Sequence, residues 1–218
     1  LPLDSKSIGK AVGEAKKNAE KRKFRQSVEL VVSLRDLDMK KPESRISEFV
    51  ELPNPISKPV KVCVFASGDL ALRAQRAGAD RVMGREDLEK MAGDKKAARK
   101  LVRGYDFFIA EAPLMSLVGK VLGAMLGPRG KMPTPVPPTA PIDSVIERHR
   151  RSVRVRVRDQ LNSQCRVGTE DMPDERIAEN IQAVIARLEA KLPKGLRNIR
   201  AARVKTTMGS GAKIEISR

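Results

Sequence analysis

The chain has 218 residues, enough to bury a sizeable core as one large domain or two small ones. Its 44 Lys and Arg outnumber 27 Asp and Glu, for a formal net charge of +17, so polyanions are its natural partners. No apolar run reaches membrane-spanning length and no leader pattern opens the sequence, so nucleic acid is expected rather than a membrane, in the cytoplasm.

Ile8, Val12, Ala15 and Ala19 recur at steps of three and four and predict an amphipathic helix over 4–20. Lys16, Lys17, Lys21, Arg22 and Lys23 gather at its end, where they complement the helix dipole and can meet phosphate. From Phe24 to Arg35 the period falls to two, with Phe24, Val28, Leu30, Val32 and Leu34 on one face, as in a half-buried strand. A second extended stretch is expected over 45–52, and Pro53, Pro55 and Pro59 then mark a linker.

Beyond the linker, apolar runs over 60–66 and 107–110 alternate with helical patterns over 69–77 and, with breaks, 88–102; this predicts a βαβ layer with a parallel sheet. Ser116 is placed to cap a helix with a broad face of Leu117, Val118, Val121, Leu122, Met125 and Leu126, expected to stop before Pro128. The proline-crowded stretch 127–141 is expected to be an ordered loop or a second connection. Val153, Val155 and Val157 alternate with Arg154, Arg156 and Arg158, a strand whose guanidinium comb either binds phosphate or, the preferred reading, protects a sheet edge. A helix over 173–191 follows, stopped by Pro193-Lys194-Gly195, and extended segments over 199–206 and 212–217 close the chain as a hairpin.

The antiparallel character of both ends, against the α/β character of the middle, predicts an α/β protein of two domains. Residues 1–58 and 152–218 would form a discontinuous α+β first domain with an antiparallel sheet. Residues 59–151 would be an inserted, Rossmann-like three-layer α/β domain.

Catalytic motifs are wanting. Cys63 and Cys165 are far apart and His149 is the sole histidine, so disulfide, zinc and histidine acid–base chemistry are poorly supplied. The Gly127–Met132 string looks like a phosphate loop, but that pattern needs Gly where Met125 stands and a hydroxyl where Met132 stands. The stretch from Ala66 to Leu70 lacks the glycine spacing of a dinucleotide site. No cofactor is expected, and the rivals, a nucleotide-dependent enzyme and a general DNA-binding protein, have no motif in their favour. Lys205-Thr206-Thr207-Met208-Gly209-Ser210-Gly211 is the most informative string: it is either a site where backbone and hydroxyls approach ribose and phosphate, or a hairpin turn rich in Gly and Ser.

Lys23-Phe24, the string from Leu126 to Pro133, Arg166-Val167-Gly168-Thr169 and Thr206-Thr207-Met208-Gly209, in this order and spacing, together resemble the universal large-subunit ribosomal protein family numbered one, in its archaeal form. The resemblance covers nearly the whole chain. It implies a non-enzymatic protein, monomeric when free, that binds ribosomal RNA of the mobile side stalk, assists release of deacylated tRNA from the exit site, and represses translation by binding its own mRNA. It places RNA contacts at Lys23, Phe24, Ser27 and Glu29, at an Arg166, Val167 and Gly168 loop, and at Lys205, Thr206, Thr207, Met208, Gly209 and Ser210. Ser27 stands where relatives often have threonine, which keeps the hydroxyl. The resemblance makes Phe24 a stacking platform, although an aromatic at a strand start more often joins a core. Glu29 would accept from a 2′-hydroxyl or base amine, or pair within the sheet.

Overall fold

A computed structural model describes residues 5–38, 46–56, 60–158 and 160–215. Asp4, Arg45, Pro59 and Ser217, which bound or mark predicted segments, lie outside them. In chain order the elements are α1 (Ser5–Lys17), β1 (Ser27–Leu34), β2 (Ile46–Glu51), β3 (Val62–Phe65), α2 (Gly68–Arg76), β4 (Arg81–Met83), α3 (Arg85–Ala92), α4 (Lys95–Gly104) and β5 (Phe107–Glu111). There follow α5 (Met115–Arg129), β6 (Thr134–Val136), α6 (Ile142–Arg151), β7 (Ser152–Val157), β8 (Asn162–Thr169), α7 (Asp174–Lys191), β9 (Ile199–Thr206) and β10 (Ala212–Ile214). They divide into two compact units, Leu1–Lys58 with Arg151–Arg218, and Pro59–Arg150.

The first unit is built on an antiparallel sheet of order β10-β9-β1-β8 and a two-stranded ladder of β2 and β7. Alternation along β1 buries Val28, Leu30, Val32 and Leu34 and leaves Ser27, Glu29, Val31 and Ser33 half-buried, so one face of the sheet meets the core. That core takes Ile8, Ala11, Val12 and Ala15 from α1 and Ile177, Ile181, Val184, Ile185 and Leu188 from α7. Each large aliphatic side chain so buried is worth about 1.5–3 kcal/mol.

Opposite β1, strand β8 carries one extra residue: Val28 faces Gly168 and Glu29 faces Arg166, leaving Val167 as a bulge. Buried Asn180 of α7 donates to the Val167 carbonyl at 2.8 Å, satisfying a group the ladder leaves over. Gly168 lets α7 approach, since a Cβ there would lie 2.9 Å from Cγ1 of Ile177. The expected Arg166–Gly168 loop is therefore strand: a sequence period disturbed by a bulge reads as irregular. The arginine comb lies on the two-stranded ladder, with Arg154 opposite Phe49 and Arg156 opposite Ser47.

The second unit is a parallel sheet of order β4-β3-β5-β6 with helices on both faces. Cys63 and Phe65 point to one side, with Leu88, Leu101, Val102, Leu122 and Leu126 of α3, α4 and α5. Val62, Val64 and Ala66 point to the other, with Leu70, Ala74, Ile142 and Ile146 of α2 and α6. The α/β class, with antiparallel pairing in the first unit and a parallel sheet in the second, is thus the class expected. Three local expectations are corrected. Helix α5 does not stop before Pro128 but absorbs it in its last turn and ends at Arg129. Ser116 does not cap it, because the helix starts one residue earlier, after a short 3₁₀ turn over Ala112–Leu114. The 127–141 stretch is not all loop, since β6 forms a sheet edge, where a proline's missing N–H is tolerated.

Candidate nucleic-acid interface

The loop between β9 and β10 is held by side chains rather than by glycine freedom alone. Thr206, at the end of β9, is fully buried, and its Oγ1 accepts from the Gly209 N–H at 3.1 Å. Gly209 is required there, because a Cβ would lie 2.3 Å from that oxygen and 3.5 Å from the Ala19 Cα. Oγ1 of Thr207 accepts from the Ser27 N–H at 3.0 Å and donates to the Ser27 carbonyl at 3.3 Å, prolonging the β1–β9 ladder through a side chain. The ammonium of Lys205 donates to the Thr207 carbonyl at 3.1 Å.

Gln26 organises the rest, and sequence reasoning missed it. It is 1% exposed; its Oε1 accepts from the Met208 N–H at 3.1 Å and its Nε2 donates to the Glu20 carbonyl at 2.9 Å. Its own N–H donates to Oε1 of Glu170 at 2.9 Å, and its carbonyl accepts from the Glu170 N–H at 3.0 Å. One buried amide therefore ties together the exit of α1, the entry to β1, the end of β8 and the turn. A signal existed: a polar residue preceding an alternating strand, on the parity of its buried face.

What this frame leaves outside is informative. Met208 is 58% and Phe24 51% exposed, two large apolar side chains in water, and Phe24 lies in sequence among Lys21, Arg22, Lys23 and Arg25, all exposed. Phe24 is neither core nor strand, since β1 begins at Ser27; the buried-face placement expected for it is corrected. Arg22 pairs with Glu20 and Arg25 with Asp171, each at 2.6 Å, whereas Lys21 and Lys23 make no ion pair among the described residues. On the sheet, Glu29 stands between Arg166 of β8 and Lys205 of β9 as a cross-strand row, on the face away from Val28 and Leu30. Ser27 is half-buried and Ser210 exposed.

Of the expected contact residues, Thr206, Val167 and Gly168 are buried and support the site rather than face solvent. Val167 is 0% exposed and Thr206 spends its hydroxyl on the turn. Thr207 has both hydroxyl partners already in the protein, so its first role is bracing. Lys23, Phe24, Ser27, Glu29, Arg166, Lys205, Met208, Gly209 and Ser210 retain partial or full exposure.

The other groups that the sequence singled out are engaged by the fold. Burial pushes the thiols of Cys63 and Cys165 up to about 12, so neither is a thiolate at neutral pH. Gly127–Met132 closes α5: Gly130 takes the left-handed conformation (φ 62°), and the N–H groups of Gly130 and Lys131 donate to the carbonyls of Gly127 and Leu126. A helix C-terminus offers carbonyls, the wrong charge for phosphate. At the switch point between β3 and β5 a cavity of about 580 Å³ opens, but the α2 N-terminus there already holds a carboxylate. Oε2 of Glu111 accepts from the Ser67 N–H at 2.9 Å and from its hydroxyl at 2.7 Å, occupying the place a nucleotide phosphate would take. Among the described residues, no helix is long and apolar enough to cross a membrane.

Comparison with known proteins gives one consistent result. The sequence profile described as the Ribosomal protein L1p/L10e family matches residues 15–210. The Large ribosomal subunit protein uL1 of Thermofilum pendens is 50% identical over 210 residues, 95% of this chain and 92% of that protein. Proteins of the same name from Methanocella arvoryzae and Archaeoglobus fulgidus are 46% and 45% identical, over 96% and 97% of this chain and 98% and 99% of theirs.

Proposed function

This chain belongs to the ribosomal protein L1p/L10e family, and from that premise we propose how it engages RNA. It is a non-enzymatic protein of the large ribosomal subunit, of archaeal type, and it binds ribosomal RNA. The RNA is that of the mobile side stalk, held by the first unit, residues 1–58 with 152–218. Met208 and Phe24 lie against bases or riboses, Glu29 and Ser27 accept from or donate to 2′-hydroxyls, and Lys23, Arg166 and Lys205 neutralise phosphates. Gly209 and Ser210 bring backbone close to the strand. The observation that carries this reading is an apolar side chain in water on a backbone braced from four directions: rigid support under exposed Met208 is what a preorganised contact requires.

Holding the stalk, the protein assists release of deacylated tRNA from the exit site. By binding an RNA of the same shape in its own mRNA it represses translation. In these roles its partners are side-stalk rRNA, exit-site tRNA and its own message, and free in solution it is a monomer. The test is binding of the whole chain to a side-stalk RNA fragment, to a same-length segment of its own messenger's leader, and to a same-length duplex DNA. Both RNAs are expected to outbind the duplex by at least tenfold near 200 mM salt, where non-specific binding has weakened. Equal binding of RNA and DNA would sink the reading, and silence of the leader RNA would remove the repression arm alone.

A further inference from the structure

We propose that the exposed face of α4, in the second unit, is an additional nucleic-acid surface that grips sugar–phosphate backbone without reading sequence; this rests on the RNA-binding reading above. Lys95, Lys96, Arg99, Lys100 and Arg103 are all exposed on this helix, while Ala98, Leu101 and Val102 are buried beneath it. The helix contains no carboxylate, and among the described residues none of these cations makes an ion pair. Asp94, the acid beside them, is used by the backbone: its Oδ1 accepts from the N–H groups of Lys96 at 2.8 Å and Ala97 at 3.0 Å.

The arrangement works against the helix itself. Lys95 and Arg99, Lys96 and Lys100, and Arg99 and Arg103 are like-charge neighbours one turn apart, and the two lysines sit at the positive end of the dipole. Other helices of the same unit are ordered differently: Asp69 pairs with Arg73 at 2.8 Å in α2, and Arg85 with Glu89 at 2.9 Å in α3. Unscreened like charge concentrated on one helix is satisfied by a polyanion laid along it. The five cations extend over about 12 Å of helix, room for more than one phosphate.

The platform is also fixed in place. The ammonium of Lys131 donates to the carbonyls of Val102 and Tyr105 at the end of α4, which accounts for the lysine of the Gly127–Met132 string that phosphate binding does not use. No exposed large apolar residue lies on α4, and its apolar face is spent in the core. It therefore lacks a stacking group to select bases and an apolar face to enter a lipid surface, and phosphate backbone is the partner left.

The test compares two full-chain variants that lose the same charge. One is Lys95→Gln, Lys96→Gln, Arg99→Gln and Lys100→Gln; the other is Lys61→Gln, Arg76→Gln, Arg81→Gln and Lys90→Gln, all exposed positions of the same unit. Each is titrated with side-stalk RNA and with an unrelated RNA hairpin of equal length from about 50 to 200 mM salt. The α4 variant is expected to flatten the log–log salt slope by about 2 and to weaken both RNAs tenfold or more at low salt, keeping their ratio. The control set should change the slope by less than half as much. Equal effects of the two sets, or no effect of the α4 set, would overturn the proposal, as would binding to phosphatidylserine vesicles lost with the α4 set while RNA binding stays. Glutamine is a good helix former, and the pair Arg99→Gln, Lys100→Gln repeats the reading with half the change should the larger set unfold. If the wild type itself fails to prefer stalk RNA over duplex DNA, it is the first-unit reading that has failed.

Discussion

The turn from Lys205 to Gly211 and the turn from Gly127 to Met132 are built from the same kinds of residue, yet the fold uses them differently. In the first, Gln26, Thr206 and Thr207 hold the backbone and leave Met208 in water; in the second, Lys131 turns inward to carbonyls of Val102 and Tyr105 and closes a helix. Glycine, lysine and methionine in a short string do not make a ligand site. What decides is whether the surrounding side chains spend their hydrogen bonds on the turn's backbone, freeing its outer side chains, or take its polar groups for the fold.

That contrast can be broken at its strongest point with Gly209→Ala. The new Cβ would meet Oγ1 of Thr206 and press on Ala19, so the turn must reopen. Stability is expected to fall by about 1–3 kcal/mol in urea unfolding and stalk-RNA affinity by roughly a hundredfold. Unchanged affinity would mean that the brace does not serve binding.

Thr207→Ala and Thr207→Ser separate bracing from contact. Serine keeps the two bonds to Ser27 and should bind RNA within about threefold of wild type; alanine should lose about 1 kcal/mol of stability and a comparable part of affinity. On the other turn, Lys131→Met removes donors at the end of α4 and should lower thermal stability by about 1 kcal/mol, with specific discrimination between stalk RNA and duplex DNA intact.

The smallest effect is one of pH. Burial in the second unit, ahead of any charge nearby, holds the His149 imidazole below its ordinary value of 6.5. The neutral ring is favoured on folding, so stability is unaffected above the unfolded value and falls as pH drops below it, because the unfolded chain takes up the proton first. In the first unit Glu48 is held below its ordinary 4.5 chiefly by hydrogen bonds from Lys191 and Arg187, so its contribution persists down to that value and is lost only below it. Melting at pH 5.5 against 7.5 should therefore soften the second unit and not the first, and His149→Gln should abolish the difference.

Much of this molecule could be read in advance where periodicity was long. The two-residue period of β1 and the stripe of α7 came through because each buries one continuous face, and the apolar runs of β3 and β5 because they are buried on both. Short elements did not: β4 has three residues, and α6, with Ile142, Ile146 and His149 buried on one face, was hidden beside a run of prolines. Pro128 misled because a proline is costly inside a helix but less so in its final turn. At the candidate site, the resemblance named exposed residues such as Met208 together with buried ones such as Thr206 and Val167, whereas Gln26 and Glu170, which hold the turn and the start of β1, are joined by tertiary hydrogen bonds that no local pattern announces.

Contact of Met208 with RNA from a braced turn is tested with least disturbance by Met208→Ala, since a side chain 58% exposed contributes little to folding. Stalk-RNA binding is measured for wild type and variant from about 50 to 200 mM salt, alongside thermal melting. A loss of roughly ten- to thirtyfold in affinity, with the salt slope and melting temperature unchanged, is the result predicted for an apolar contact. Affinity equal to wild type at every salt concentration would contradict it and leave net charge alone as the basis of binding.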